Sequence, residues 1–147
     1  MADADFSMGY MTNWAGRLFR RLADRRLKPL GFSSGHLPVL NALIQTDGMS
    51  QKALIEVSAI EQPTMAATLA RMERDDLIQR RADPLDGRAA LYSLTPGTRA
   101  KVPALRAAIE QMNKDALQAL PEDQREQFRQ QLKNVIVALE NLVAMES

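Results

Sequence analysis

A mainly α-helical chain with one small β-hairpin is what this sequence predicts, and three observations predict it. Apolar residues recur at three- and four-residue steps through most of the chain. Pro and Gly divide those runs into separate helices. Between Leu77 and Leu94, two short β-capable stretches instead flank Asp86-Gly87, with Arg88 next. Gly87 lacks a Cβ, so it is expected to take positive φ and close a hairpin.

The elements follow in order. From Met8 to Lys28, Met11, Trp14, Leu18, Leu22 and Arg25 keep helical spacing, and Pro29-Leu30-Gly31 stops the run. A second helix is expected between Ser34 and Gln45, with Leu37, Leu40, Leu43 and Ile44 on its apolar side. Ser33 or Ser34 can cap it, and Pro38 favours a start later than Ser33. Asp47-Gly48 breaks the chain, and Ser50 can N-cap a third helix from Gln51 to about Val57. The turn Ser58-Ala59-Ile60 leads to a fourth helix from Gln62 to Asp75. Pro63 is tolerated in its first turn, where the N–H groups have no intrahelical partner. Met65, Leu69 and Met72 form its buried stripe, with Thr64, Ala67, Arg71 and Arg74 on the other side.

After the hairpin, Thr95-Pro96 reads as N-cap and first residue of a long helix to about Leu120. Val102, Leu105, Ile109, Met112 and Ala116 continue its apolar side. Pro121-Glu122-Asp123 opens a last helix, its acidic residues suited to the N-terminal dipole. Phe128, Leu132, Val135, Leu139 and Leu142 keep the 4-3-4-3 spacing of a helix–helix seam.

Two short helices joined by a tight turn, then a hairpin, make a winged helix-turn-helix. The expected organisation is an N-terminal dimerisation helix (1–30), a DNA-binding winged helix-turn-helix (31–96) and C-terminal dimerisation helices (97–147). The terminal helices are too apolar on one face to be left in water. A homodimer buries them and repeats the reading head for two half-sites.

Composition narrows the function. At 147 residues, 46% hydrophobic and 25% charged, the chain can bury one ordinary core. It has no Cys, which excludes disulfides, thiolate zinc sites and cysteine redox sensing. His36 is the only histidine, so no metal site is expected. No apolar run approaches the ~18 residues that span a bilayer, and the acidic N-terminus lacks a signal-peptide core, so a cytoplasmic protein without a membrane partner is expected. No Ser has a positioned His base, no Gly-rich loop follows a strand, and Asp75-Asp76 falls in a solvent-facing turn. An enzyme or a cofactor is therefore not expected. The net charge of +1 lacks the basic bias of many nucleic-acid binders. Positive charge for DNA must be arranged locally.

Several segments together carry a family resemblance. They are Val39-Leu40-Asn41-Ala42-Leu43, Ser50-Gln51-Lys52-Ala53-Leu54, Gln62-Pro63-Thr64-Met65 and the run from Leu69 to Ile78. Asp83-Pro84-Leu85-Asp86-Gly87-Arg88-Ala89 and Leu94-Thr95-Pro96-Gly97 complete the set. Over roughly Ser33 to Lys101 the chain resembles the MarR family of bacterial transcription regulators. The resemblance implies an obligate homodimer on a pseudopalindromic operator, acting as a repressor. It puts the fourth helix in the major groove and the wing in the minor groove, with release by a small aromatic or phenolic ligand. The sequence departs from the usual pattern at four places. Ser58-Ala59 replaces a common Leu-Gly, and Ala67 replaces a polar or basic reading residue. His36-Leu37-Pro38 replaces a Gln-aromatic pair. Asp76 replaces a frequent Gly, at a cost of roughly 1 kcal/mol if the position is left-handed.

The candidate DNA-binding residues are Lys52, Gln62, Thr64, Thr68, Arg71, Arg74, Asp86 and Arg88. Thr64, Thr68 and Arg71 are groove candidates, since Thr can bond a phosphate or base and meet a thymine methyl. Gln62 can pair with adenine or support the helix start. Arg88 suits the narrow minor groove, with the Asp86 carboxylate expected to hold its guanidinium. Lys52, Arg80 and Arg81 are phosphate candidates. So is the cluster Arg17, Arg20, Arg21, Arg25 and Arg26, which equally suits a solvated face or dimer ion pairs. Tyr10, Trp14, Phe19 and Phe32 either line a ligand cleft or fill core. The rival to a regulator is a winged-helix protein–protein interaction module with no specific operator, which the weak net charge and small Ala67 side chain permit.

Overall fold

The computed structural model describes residues 7–58 and 60–146, so Ala59 of the expected turn lies outside the described residues. The chain forms two compact units, residues 1–109 and 110–147.

The first unit begins with α1 (Met8–Leu27), capped by Ser7, whose Oγ accepts the Tyr10 N–H at 3.2 Å. Gly31, at φ +82°, lets the chain reverse after it. The Ser34–His36 turn leads into α2 (Leu37–Gln45), with Pro38 in its first turn, where no amide is missed. The strand β1 (Met49–Ser50) precedes α3 (Gln51–Ser58), and Ser50 caps α3 as expected by accepting the Ala53 N–H at 3.2 Å. Next come α4 (Gln62–Arg74), β2 (Ile78–Ala82), β3 (Ala90–Leu94) and α5 (Pro96–Leu117).

The sheet is antiparallel in the order β1-β3-β2. Ile78 stands opposite Leu94 and Ala82 opposite Ala90, while Met49 faces Tyr92. Two strands are expected from the sequence, and β1 is a third. A strand of two residues is too short to show alternation. The core of this unit joins Leu27, Val39, Leu40, Leu43, Leu54, Met65, Leu69, Met72, Ile78, Leu94 and Leu105, each under 3% exposed. The stripe Met65, Leu69 and Met72 therefore fixes which side of α4 faces outward.

The end of α4 is a Schellman turn. Leu77 N–H donates to Met72 O at 2.8 Å and Asp76 N–H to Glu73 O at 3.1 Å. Asp76 sits at its centre with φ +57°, the left-handed position normally left to Gly. Its side chain makes no hydrogen bond among the described residues. Asp76→Gly is therefore expected to stabilise the fold by about 0.5–1 kcal/mol, read as a higher urea midpoint at unchanged m-value.

Thr95 joins this turn to α5. Its N–H donates to Leu77 O at 3.2 Å and its hydroxyl to Asp76 O at 2.8 Å. The same oxygen accepts the Thr98 N–H at 3.3 Å, as an N-cap does.

The hairpin loop differs from the expected tight Asp-Gly turn. It runs over seven residues, 83–89, between β2 and β3. Asp83 N–H donates to Ala89 O at 3.0 Å and Ala89 N–H to Asp86 O at 2.9 Å. The glycines at positive φ are Gly31 and Gly48, not Gly87. Carboxylates set the bends instead: Asp83 Oδ1 accepts the Leu85 N–H at 2.9 Å and Asp86 Oδ1 the Arg88 N–H at 3.0 Å.

In the second unit, α6 (Glu122–Glu146) has no buried residue. Phe128, Leu132, Ile136, Leu139 and Leu142 are 41–49% exposed. No helix among the described residues is long and apolar enough to cross a membrane.

Candidate nucleic-acid interface

Burial of the Met65–Leu69–Met72 stripe turns Gln62, Thr64, Ala66, Ala67, Ala70, Arg71 and Arg74 outward on α4. Thr68 goes the other way. It is 4% exposed, and its hydroxyl accepts from Arg71 Nη2 at 3.4 Å. Thr68 is thus removed from the expected groove-facing set. It stands three residues after Met65 and four before Met72, on the buried side of the helix.

The cations divide into neutralised and free ones. Arg74 forms a bidentate pair with Asp75, Nε to Oδ1 at 2.8 Å and Nη2 to Oδ2 at 3.2 Å. That hydrogen bond holds the Asp75 carboxyl below its ordinary range and raises Arg74. Arg80 faces Glu73 at 3.4 Å. Lys52 on α3, Arg71 on α4 and Arg88 on the wing are exposed and form no salt bridge among the described residues, although Arg71 acts on Asp75 at longer range.

At the wing tip the Asp86 carboxylate holds the backbone amide of Arg88, not its guanidinium as expected. The carboxylate shapes the loop and leaves the Arg88 side chain to solvent. Leu85, which is not among the expected contact residues, stands 97% exposed on the same loop. Loop leucines are rarely informative in sequence, because nothing in their spacing marks them as exposed.

Of the four aromatic residues read as cleft or core, Tyr10, Trp14 and Phe19 lie on α1 and Phe32 follows it. Tyr10 and Trp14 meet edge to face with centroids 5.9 Å apart. Phe19 lies five positions beyond Trp14, about 140° further round the helix at ~100° per residue. Phe32 is 3% exposed and covered by Lys101, whose Nζ is 5.8 Å from the ring centroid. Its burial makes Phe32 a core residue.

His36 belongs to the support of this surface. Its Nδ1 accepts the Ser33 N–H at 3.1 Å, while Asp24 Oδ1 accepts the Ser34 N–H at 2.7 Å. Burial pushes the His36 pKa down, partly offset by the nearby Asp75 carboxylate, with Arg71 adding to the fall. The neutral ring is the form that accepts the Ser33 bond. The folded chain therefore binds the proton less well than the unfolded chain does. Stability is expected in full above the ordinary histidine value of about 6.5 and to decline as pH falls through it. Urea melts from pH 7.5 to 5.5 check this, with His36→Gln giving the shallower decline.

A model of the MarR family matches residues 30–89. Among solved structures the chain is similar to a probable transcriptional regulator from Pseudomonas aeruginosa, at 29% identity and TM-score 0.81, covering 89% of this chain and 98% of that one. MepR from S. aureus, solved as a complex with DNA, is 25% identical at TM-score 0.78, covering 91% and 99%. Bordetella bronchiseptica BpsR, whose DNA binding is regulated by 6-hydroxynicotinic acid, shares the fold at 22% identity and TM-score 0.77, covering 88% and 92%. Residues 30–89 thus match the MarR family model, and the chain as a whole is similar in fold to transcriptional regulators of the winged helix-turn-helix type.

Proposed function

We propose that this protein is a homodimeric repressor that occupies a pseudopalindromic operator. The observation carrying the reading is the set of three exposed cations without a salt bridge among the described residues, Lys52, Arg71 and Arg88, on α3, α4 and the wing. Backbone phosphates reward cations that are not already paired. In this reading α4 enters the major groove with Gln62, Thr64 and Arg71 toward the bases, while Lys52 meets phosphate and Arg88 enters the minor groove. Arg74 reaches a phosphate only by leaving Asp75. Asp86 keeps the wing loop in shape. Segments 1–30 and 97–147 pair the two copies, supported by the exposed apolar side chains of α1 and α6. A small aromatic ligand releases the DNA by favouring a dimer whose reading heads miss successive major grooves, roughly 34 Å apart. The DNA-bound MepR and ligand-regulated BpsR support both parts.

The test is a salt-dependent gel shift against DNA upstream of the coding region, with scrambled DNA beside it. Dimer-stoichiometric, sequence-selective binding is the expected result. Equal, weak binding to both DNAs would leave an interaction module as the better reading.

A further inference from the structure

A second polar site lies on the sheet. A groove of about 480 Å³ is bounded by Asp47, Gln79, Arg81, Ser93, Pro96 and Arg99. Gln79 and Ser93 are direct cross-strand partners, so their side chains share a face, and Arg81 follows two residues on. Ser93 is 6% exposed, yet its hydroxyl has no hydrogen-bond partner among the described residues. Nor is any side-chain polar atom there both sealed from solvent and unsatisfied, so this hydroxyl opens into the groove. A hydroxyl on a largely buried residue that opens into a groove without a protein partner is free to donate to a ligand there.

Arg81 supplies the charge. Its guanidinium has no acidic partner among the described residues, and Nη2 stands 2.9 Å from where a Cβ on Gly48 would be. Gly48, at φ +73°, is thus needed twice, for the backbone bend and for the space the guanidinium fills. Arg99, in the first turn of α5, is tied to Asp47 at 3.0 Å, with both side chains about half exposed. A pair so exposed is weak and readily exchanged. Arg80 also borders the groove, but Glu73 engages it. One end is the positive terminus of a 22-residue helix. Donors thus come from β2, β3 and α5, and two guanidiniums with a hydroxyl along one groove match the several acceptor oxygens of a phosphate.

We propose that this groove binds a phosphate group, held by Arg81 and Ser93, with Arg99 joining as it leaves Asp47. The proposal is independent of the assignment of α4 to bases. The phosphate comes either from a small phosphorylated molecule or from a DNA backbone.

The full chain, labelled for heteronuclear NMR, is titrated with inorganic phosphate against sodium chloride of equal ionic strength, and separately with a short scrambled duplex. Saturable shifts of the Ser93 amide and Arg81 Nε–H with phosphate, and no shift in α4, establish a free-phosphate site. Arg81→Met should then weaken binding about tenfold or more, and Asp47→Asn should tighten it about threefold by freeing Arg99. Movement of the two signals with the duplex alone, lost in Arg81→Met while α4 signals still move, identifies the backbone as source. The proposal is overturned if neither probe moves Ser93 and Arg81, or if chloride shifts them equally. Because α4 signals are read in the same spectra, failure of this site and failure of operator binding are told apart.

Discussion

Leu132→Glu with Leu139→Glu is expected to leave the protein monomeric and to lower operator affinity more than about a hundredfold. Both side chains are large and apolar, 41% and 49% exposed, and seven residues apart on α6. Burying a leucine contributes about 1.5–3 kcal/mol, and two-fold symmetry doubles the effect of each substitution. Four carboxylates introduced at one seam add desolvation and repulsion to that loss. Neither residue is buried within the chain, so circular dichroism should show an intact fold. Sedimentation gives the mass and a gel shift the affinity. A variant that remained dimeric would remove α6 from the interface. A monomer binding the operator as well as the parent would remove the need for paired reading heads.

Arg88→Ala is expected to weaken operator binding about tenfold or more and to reduce the salt slope of log K by about 1, as one phosphate-proximal cation is lost. The effect should be uniform across major-groove variants of the site, because a minor-groove arginine reads width more than base identity. Asp86 sharpens the test. Its carboxylate accepts the Arg88 amide and does not hold the guanidinium. Asp86→Asn keeps that acceptor and should bind DNA nearly as the parent does, whereas Asp86→Ala should loosen the loop and lose affinity. If Asp86→Asn were as damaging as Arg88→Ala, the carboxylate would have a role beyond shaping the turn. Unchanged binding in Arg88→Ala would end the wing assignment.

Much of this architecture is legible in the sequence, for reasons that are local. Pro63 and Pro96 mark helix starts, Ser50 and Thr95 cap helices, and the Met65–Leu69–Met72 period sets the buried side of α4. What escaped depends on contacts distant in sequence or on exact rotation. Two residues at Met49–Ser50 become a strand only because β3 lies beside them. Thr68 reads as outward from residue type, but the helix turns it inward with Leu69 and Met72. Gly87 looks like the bend of a tight hairpin, yet Asp83 and Asp86 bend the loop through their carboxylates. Arg71 and Arg74 look equivalent until Arg74 is seen to pair directly with Asp75, which Arg71 meets only at longer range. The charge available to DNA was thus less legible than the helices that carry it.

Thr95 has a mechanical consequence. A single hydroxyl grips the last carbonyl of the α4 turn and the first turn of α5, and the Thr95 amide holds Leu77 beside it. Such a junction behaves as a weld and not as a swivel. A tilt imposed on the start of α5 is therefore expected to reach the end of α4, because the chain between them has little slack to absorb it. The force then travels through the peptide unit of Asp76, whose left-handed backbone has little freedom to yield.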